Sequence, residues 1–197
     1  MAVIRAFRAL RPDPKYAEKV ISLPYDVMNG EEAARMAEGN PYSFLHICRS
    51  EIDLPEGTDP YSPEVYQKAK ENLDELLRTG VFVREESPML YLYRQTMDGR
   101  TQTGIVACVP ADEYGDGTIK KHELTRVEKE NDRICHFDTC GADTEPVFLA
   151  YRDNNQRIRV ITEGWIGSHR PEYDFTTEDG IGHALWRVDD PSVIALL

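Results

Sequence analysis

The dipeptide Asp98-Gly99 stands between two runs rich in β-branched and aromatic residues, MLYLYRQT (89–96) and TQTGIVACV (101–109). A two-residue turn needs positive φ at its centre, and Asp-Gly supplies it, so the pair predicts a β-hairpin. A hairpin commits that part of the chain to antiparallel pairing. Further strand-like runs are AVIRAFRA (2–9), YSFLHICR (42–49), VFLAY (147–151), RIRVIT (157–162), YDFT (173–176) and HALWRV (183–188). Short turns join several of them. The expected class is therefore mixed α+β, with a largely antiparallel sheet and a few helices.

The clearest helix is EVYQKAKENLDELLRT (64–79), where Val65, Ala69, Leu73, Leu76 and Leu77 share one face. Ser62-Pro63 opens it as N-cap and first-turn pair, and Gly80 stops it. Asn29 caps a shorter helix over Glu31–Ala37, ended by Gly39. The segment ISLPYDVM (21–28) is extended at Pro24. A polar helix is expected over about 126–138, and Asp190-Pro191-Ser192 opens a last one, VIALL. That helix meets no stop signal, which leads to the expectation that residues 1–197 form one α+β domain at the N-terminal end of a longer chain.

The net charge of −12 opposes nucleic-acid binding, because phosphate neutralisation supplies most of that affinity. No run of about 18 apolar residues exists to span a membrane. Cys48, Cys108, Cys135 and Cys140 form no C-x-x-C pair, and the start of the chain is no secretory signal. Reduced thiols and a cytoplasmic location are the expectation. Cofactors and oligomeric state are not legible.

The densest polar cluster is Lys120-Lys121-His122-Glu123-Leu124-Thr125, followed by Glu128, Lys129, Asp132 and Arg133. Thr125 and Glu128 have capping-box spacing, which starts a helix at Arg126. Lys129, Asp132, Arg133 and His136 then share a polar face. That pattern describes a solvated helix with charge pairs. It also describes an anion site, with Lys121, Lys129 and Arg133 at a helix start and His122 with Glu123 as an acid–base pair. Thr125 and Asp132 would support it. A second cluster, Pro24-Tyr25-Asp26-Val27 and Asn40-Pro41-Tyr42-Ser43 with His46, reads either as turn chemistry or as pocket residues at element ends. Cys135, His136 and Cys140 fit no zinc spacing, so no metal is expected.

The segments LPYDVM (23–28), NPYSFLHI (40–47), the Tyr66…Leu77 helix with GVFV, KHELTRVEKENDR (121–133) and PVFLAYRD (146–153) together resemble the bacterial domain-of-unknown-function family 1015, sometimes labelled SpoOJ/ParB-like. The resemblance covers essentially the whole chain. It implies a phosphate-gripping D-G-H-H-R-Y motif beyond Leu197, similar to that of the ParB and sulfiredoxin superfamily, whose members bind nucleoside triphosphates. It thus implies the front part of a phosphate- or nucleotide-binding protein, a phosphotransferase or hydrolase. The alternative is a non-catalytic scaffold that packs against a missing half or a partner. The positions that carry over are His122, Glu123, Thr125, Lys129, Asp132 and Arg133, with Asp26, Asn40 and Ser43 as weaker candidates.

Overall fold

The computed structural model describes residues 2–122, 124–152 and 156–197. In chain order the elements are β1 (Leu10–Pro12), α1 (Ala17–Val20), α2 (Gly30–Ala37), α3 (Leu45–Cys48), α4 (Pro63–Arg78), β2 (Phe82–Arg84), β3 (Leu90–Met97) and β4 (Arg100–Val106). There follow α5 (Ala111–Gly115), α6 (Val127–Cys140), α7 (Arg157–Ser168), β5 (Tyr173–Thr176), β6 (Gly182–Val188) and α8 (Pro191–Ile194). Short 3-10 turns occupy Tyr25–Val27 and Ser50–Asp53. The fold is α+β with antiparallel sheet pairing. Among the described residues, no helix is long and apolar enough to cross a membrane.

The chain divides into two compact units, one of residues 1–14, 84–122 and 149–197, the other of residues 15–83 and 123–148. The first is built on a four-stranded sheet in the order β4-β3-β6-β5. Asp98 and Gly99 take φ of 50° and 73°, the left-handed values that the tight turn between β3 and β4 demands. Register places Leu90 opposite Val188 and Leu92 opposite Trp186. These four residues, with Ala184, form a buried cluster to which α7 adds Trp165. The Trp165 indole N–H donates to the Arg187 carbonyl at 3.0 Å, so the buried ring keeps its polar atom satisfied.

The second unit is helical. In α4 the residues Val65, Tyr66, Ala69, Leu73 and Leu76 are buried, the stripe that the 3.6-residue period marks out. Ala33 and Ala37 of α2 meet Leu45 and Cys48 of α3 in a second small core. The N-cap of α2 is a complete capping box, with Asn29 Oδ1 accepting from Glu32 N–H at 3.0 Å and Glu32 accepting from Asn29 N–H at 2.9 Å.

Four expected elements differ. YSFLHICR is buried as expected, but residues 45–48 are helical rather than extended; a short apolar run carries no period that tells the two apart. RIRVIT lies in helix α7. Ile158, Ile161, Thr162, Trp165 and Ile166 fall at helical spacing, and that period outweighs the β-branched composition. VFLAY is in neither helix nor strand, and Val147 and Phe148 are exposed. Residues 2–9 make only isolated bridges, Arg5 with Cys108 and Phe7 with Met89, before β1 begins at Leu10.

Candidate functional site

Helix α6 turns its polar face inward. Asp132 and His136, one turn apart, are 6% and 4% exposed, while Val127, Ile134 and Phe137 on the other side face solvent. The expected solvated polar face is thus reversed. The reason lies in the partners that other segments provide, since a buried polar group must be bonded. From α4 the Tyr66 hydroxyl donates to Asp132 at 2.9 Å. At α3 the Ile47 carbonyl accepts from His136 Nε2 at 3.0 Å. That bond places the proton on Nε2, and burial lowers the His136 pKa, so the ring is held neutral.

The expected start of this helix is also corrected. The N-cap is Arg126, its side chain makes no cap bond, and Thr125 lies one residue too early to act as cap. Glu128 pairs instead with Arg126 at 2.9 Å.

Against this inward face lies a cleft with a cavity of about 50 Å³. Lys129, Asp132, Arg133 and His136 line it from α6, Tyr66 from α4, and Tyr25, Arg49, Glu51 and Tyr61 from the intervening turns. Arg133 is held on every side. Its Nε and Nη2 donate to Asp132 Oδ2 at 3.2 and 2.9 Å, its Nη1 donates to Glu145 at 2.8 Å, and the Tyr25 ring centre lies 4.2 Å from its guanidinium carbon. Burial works against its charge, yet Glu145 and Asp132 outweigh that and raise its pKa. Burial also raises the Tyr25 pKa, which leaves its ring a neutral plate beneath the cation.

Lys129 is placed differently. Its ammonium donates to the Tyr61 hydroxyl at 3.0 Å, and among the described residues no carboxylate forms an ion pair with it. Arg49 and Glu51 approach to 3.0 Å without the alignment of a hydrogen bond. Glu145 stands behind Arg133. Burial pushes its carboxyl up to about 7, with Asp132 and Asp26 adding to the rise and Arg133 opposing it.

Of the residues singled out by sequence, Lys129, Asp132 and Arg133 come together in the cleft. Asp26 is exposed and close enough for its charge to act on Tyr25 and Glu145. Asn40 and Ser43 hold turns instead. The Asn40 amide donates to the Lys19 carbonyl at 2.7 Å, and Ser43 Oγ accepts from the Leu45 N–H at 3.3 Å. Thr125 is exposed. Lys121 and His122 are exposed in the sheet-based unit, where the Lys121 ammonium sits 4.7 Å from the Tyr114 ring centre. Glu123 lies outside the described residues. Tyr25, from the second cluster, also lines the cleft, whereas Tyr61, Tyr66, Arg49, Glu51 and Glu145 were not legible as site residues, because they reach α6 from other parts of the chain.

No curated protein and no solved structure matches the chain. The family described as "Protein of unknown function (DUF1015)" matches residues 4–197. That match runs through the α6 block, the cleft segments and the four-stranded sheet alike, so the chain belongs to the DUF1015 family.

Proposed function

We propose that this chain binds a small ligand through one phosphate-like anionic group, seated at Lys129 in the α6 cleft. What carries the reading is an excess of positive charge in an acidic protein. Arg49, Lys129 and Arg133 line the cleft against only Glu51 and Asp132, while the chain as a whole carries −12. Among the described residues, Arg49 and Arg133 form ion pairs with carboxylates and Lys129 forms none. Its ammonium is held at the edge of Tyr61 by a bond to the hydroxyl at 3.0 Å.

Size limits the ligand. One water needs about 10–15 Å³ of cavity space, so a cleft of about 50 Å³ has room for one tetrahedral anion. The reading concerns binding; it is compatible with the phosphate chemistry implied by the ParB-like resemblance and assigns no reaction.

The test is titration of the protein with sodium sulfate and with inorganic phosphate, followed by amide NMR. Saturable shifts at α6 and at Tyr25 and Tyr61 are expected. Lys129→Met should abolish them while leaving the thermal midpoint unchanged. Shifts that grow linearly with salt, or that persist in Lys129→Met, would rule the reading out.

A further inference from the structure

We infer that Glu145 is a positioning residue that sets the affinity of the α6 cleft for an anion, acting through Arg133 and taking up a proton as the anion binds. The inference rests on the anion-binding reading and adds a control residue to it.

The geometry comes first. Arg133 is one cation between two carboxylates, with Glu145 on Nη1 and Asp132 on Nε and Nη2. The carboxylates are not held equally. Asp132 accepts from Tyr66 as well as from two nitrogens of Arg133, whereas Glu145 takes a single bond from Arg133. Glu145 is the one that can let go. It does not line the cleft and Arg133 does, so its contact with the cleft's cations is its bond to the guanidinium.

Charge counting gives the consequence. Around the cations Arg49, Lys129 and Arg133 stand Glu51, Asp132, Glu145 and, near enough to act on Glu145, Asp26, so an ionised Glu145 opposes an incoming anion. With Glu145 protonated, one negative charge fewer faces the anion. An anion in the cleft therefore favours the protonated form, and by linkage the protonated form favours the anion. The proton comes from solvent.

The surroundings make that proton accessible near neutrality. The groups acting on Glu145 are Arg133 and Asp132 on α6 and Asp26 on the 3-10 turn. It acts in turn on Tyr25 in that turn and on Cys48 of α3. Both of these are raised by burial and stay neutral. His136 on α6 is neutral too. Burial and the two acids outweigh Arg133 and bring the carboxyl to about 7.

Sulfate is the probe, because its charge does not change between pH 6 and 8. Calorimetry in buffers of different ionisation enthalpy reads affinity and proton uptake together. For the native protein, affinity should fall about five- to tenfold from pH 6 to pH 8, with fractional proton uptake largest near pH 7. Glu145→Gln should bind at pH 8 about as well as the native protein binds at pH 6, with a flat profile and no proton uptake. Glu145→Asp should restore the pH dependence. If sulfate binds in a Lys129-dependent way but equally at pH 6 and 8 with no proton taken up, the role of Glu145 is overturned and the cleft reading stands. Should Glu145→Gln keep the native pH profile, the residue is merely structural. Failure of sulfate to bind saturably at any pH would overturn both.

Discussion

Both ring nitrogens of His46 face oxygen acceptors, with Nδ1 2.9 Å from Oδ1 of Asp53 and Nε2 3.1 Å from the Asn40 carbonyl. A neutral imidazole has one N–H to give, so two acceptors call for the imidazolium. Asn72 adds a bond to Asp53 at 2.7 Å and another to the His46 carbonyl at 2.6 Å. The cluster ties α3 to α4 and to the turn after α2.

Stability should follow this pair with pH. The Asp53 hydrogen bond is the largest cause that raises the His46 pKa above 6.5, against partial burial. A raised folded pKa means a contribution fully present below 6.5 and lost as pH rises through the folded value. Asp53 goes the other way. His46 and Asn72 lower its pKa despite burial, so its contribution holds above 3.8 and is lost as pH falls through its folded value. His46→Gln should cost about 1.5–3 kcal/mol at pH 6 and less at pH 8. Urea unfolding of both proteins at the two pH values checks this; an equal loss at both would contradict it.

Tyr66→Phe isolates the bond that turns the polar face of α6 inward. Tyr66 and Asp132 are 7% and 6% exposed, so water cannot replace the lost hydroxyl freely. The expected loss is about 1.5–3 kcal/mol, the range for a hydrogen bond to a charged group. The urea midpoint should fall with the slope unchanged.

Gly99 at φ 73° closes the hairpin between β3 and β4. Gly99→Ala places a Cβ in the left-handed region and should cost about 1–2 kcal/mol. Asp98→Asn, at φ 50°, should be neutral, since Asn adopts that region readily. Thermal unfolding of the two variants side by side gives the comparison.

Thiol reactivity should split the four cysteines in two. Cys108 and Cys135 are exposed, and Cys48 and Cys140 are buried. Burial pushes the Cys48 thiol up to about 12 and the Cys140 thiol up to about 11, which removes the reactive thiolate at neutral pH. An aromatic disulfide reagent should titrate two thiols quickly in the native protein and four in denaturant.

Local chemistry decided a good part of this fold. Asp98-Gly99 could make only a tight turn, the Val65-to-Leu77 period could bury only one helical face, and Asn29 with Glu32 could close a capping box without help. Lys129, Asp132 and Arg133 were legible as neighbours for the same reason, because three and four residues on a helix are one turn. Tertiary structure decided the rest. Residues 45–48 are helical because apolar burial alone does not choose between strand and helix in so short a run. The direction in which the polar face of α6 points depended on a hydroxyl 66 residues away and a carbonyl 89 residues away. Glu145 took its altered carboxyl chemistry from Arg133, Asp132 and Asp26 together with burial. Spacing along a chain specifies what one element can do. Partners drawn from distant segments exist only once burial has brought those segments together, and burial is what makes each missing hydrogen bond or unmatched charge costly enough to choose among arrangements.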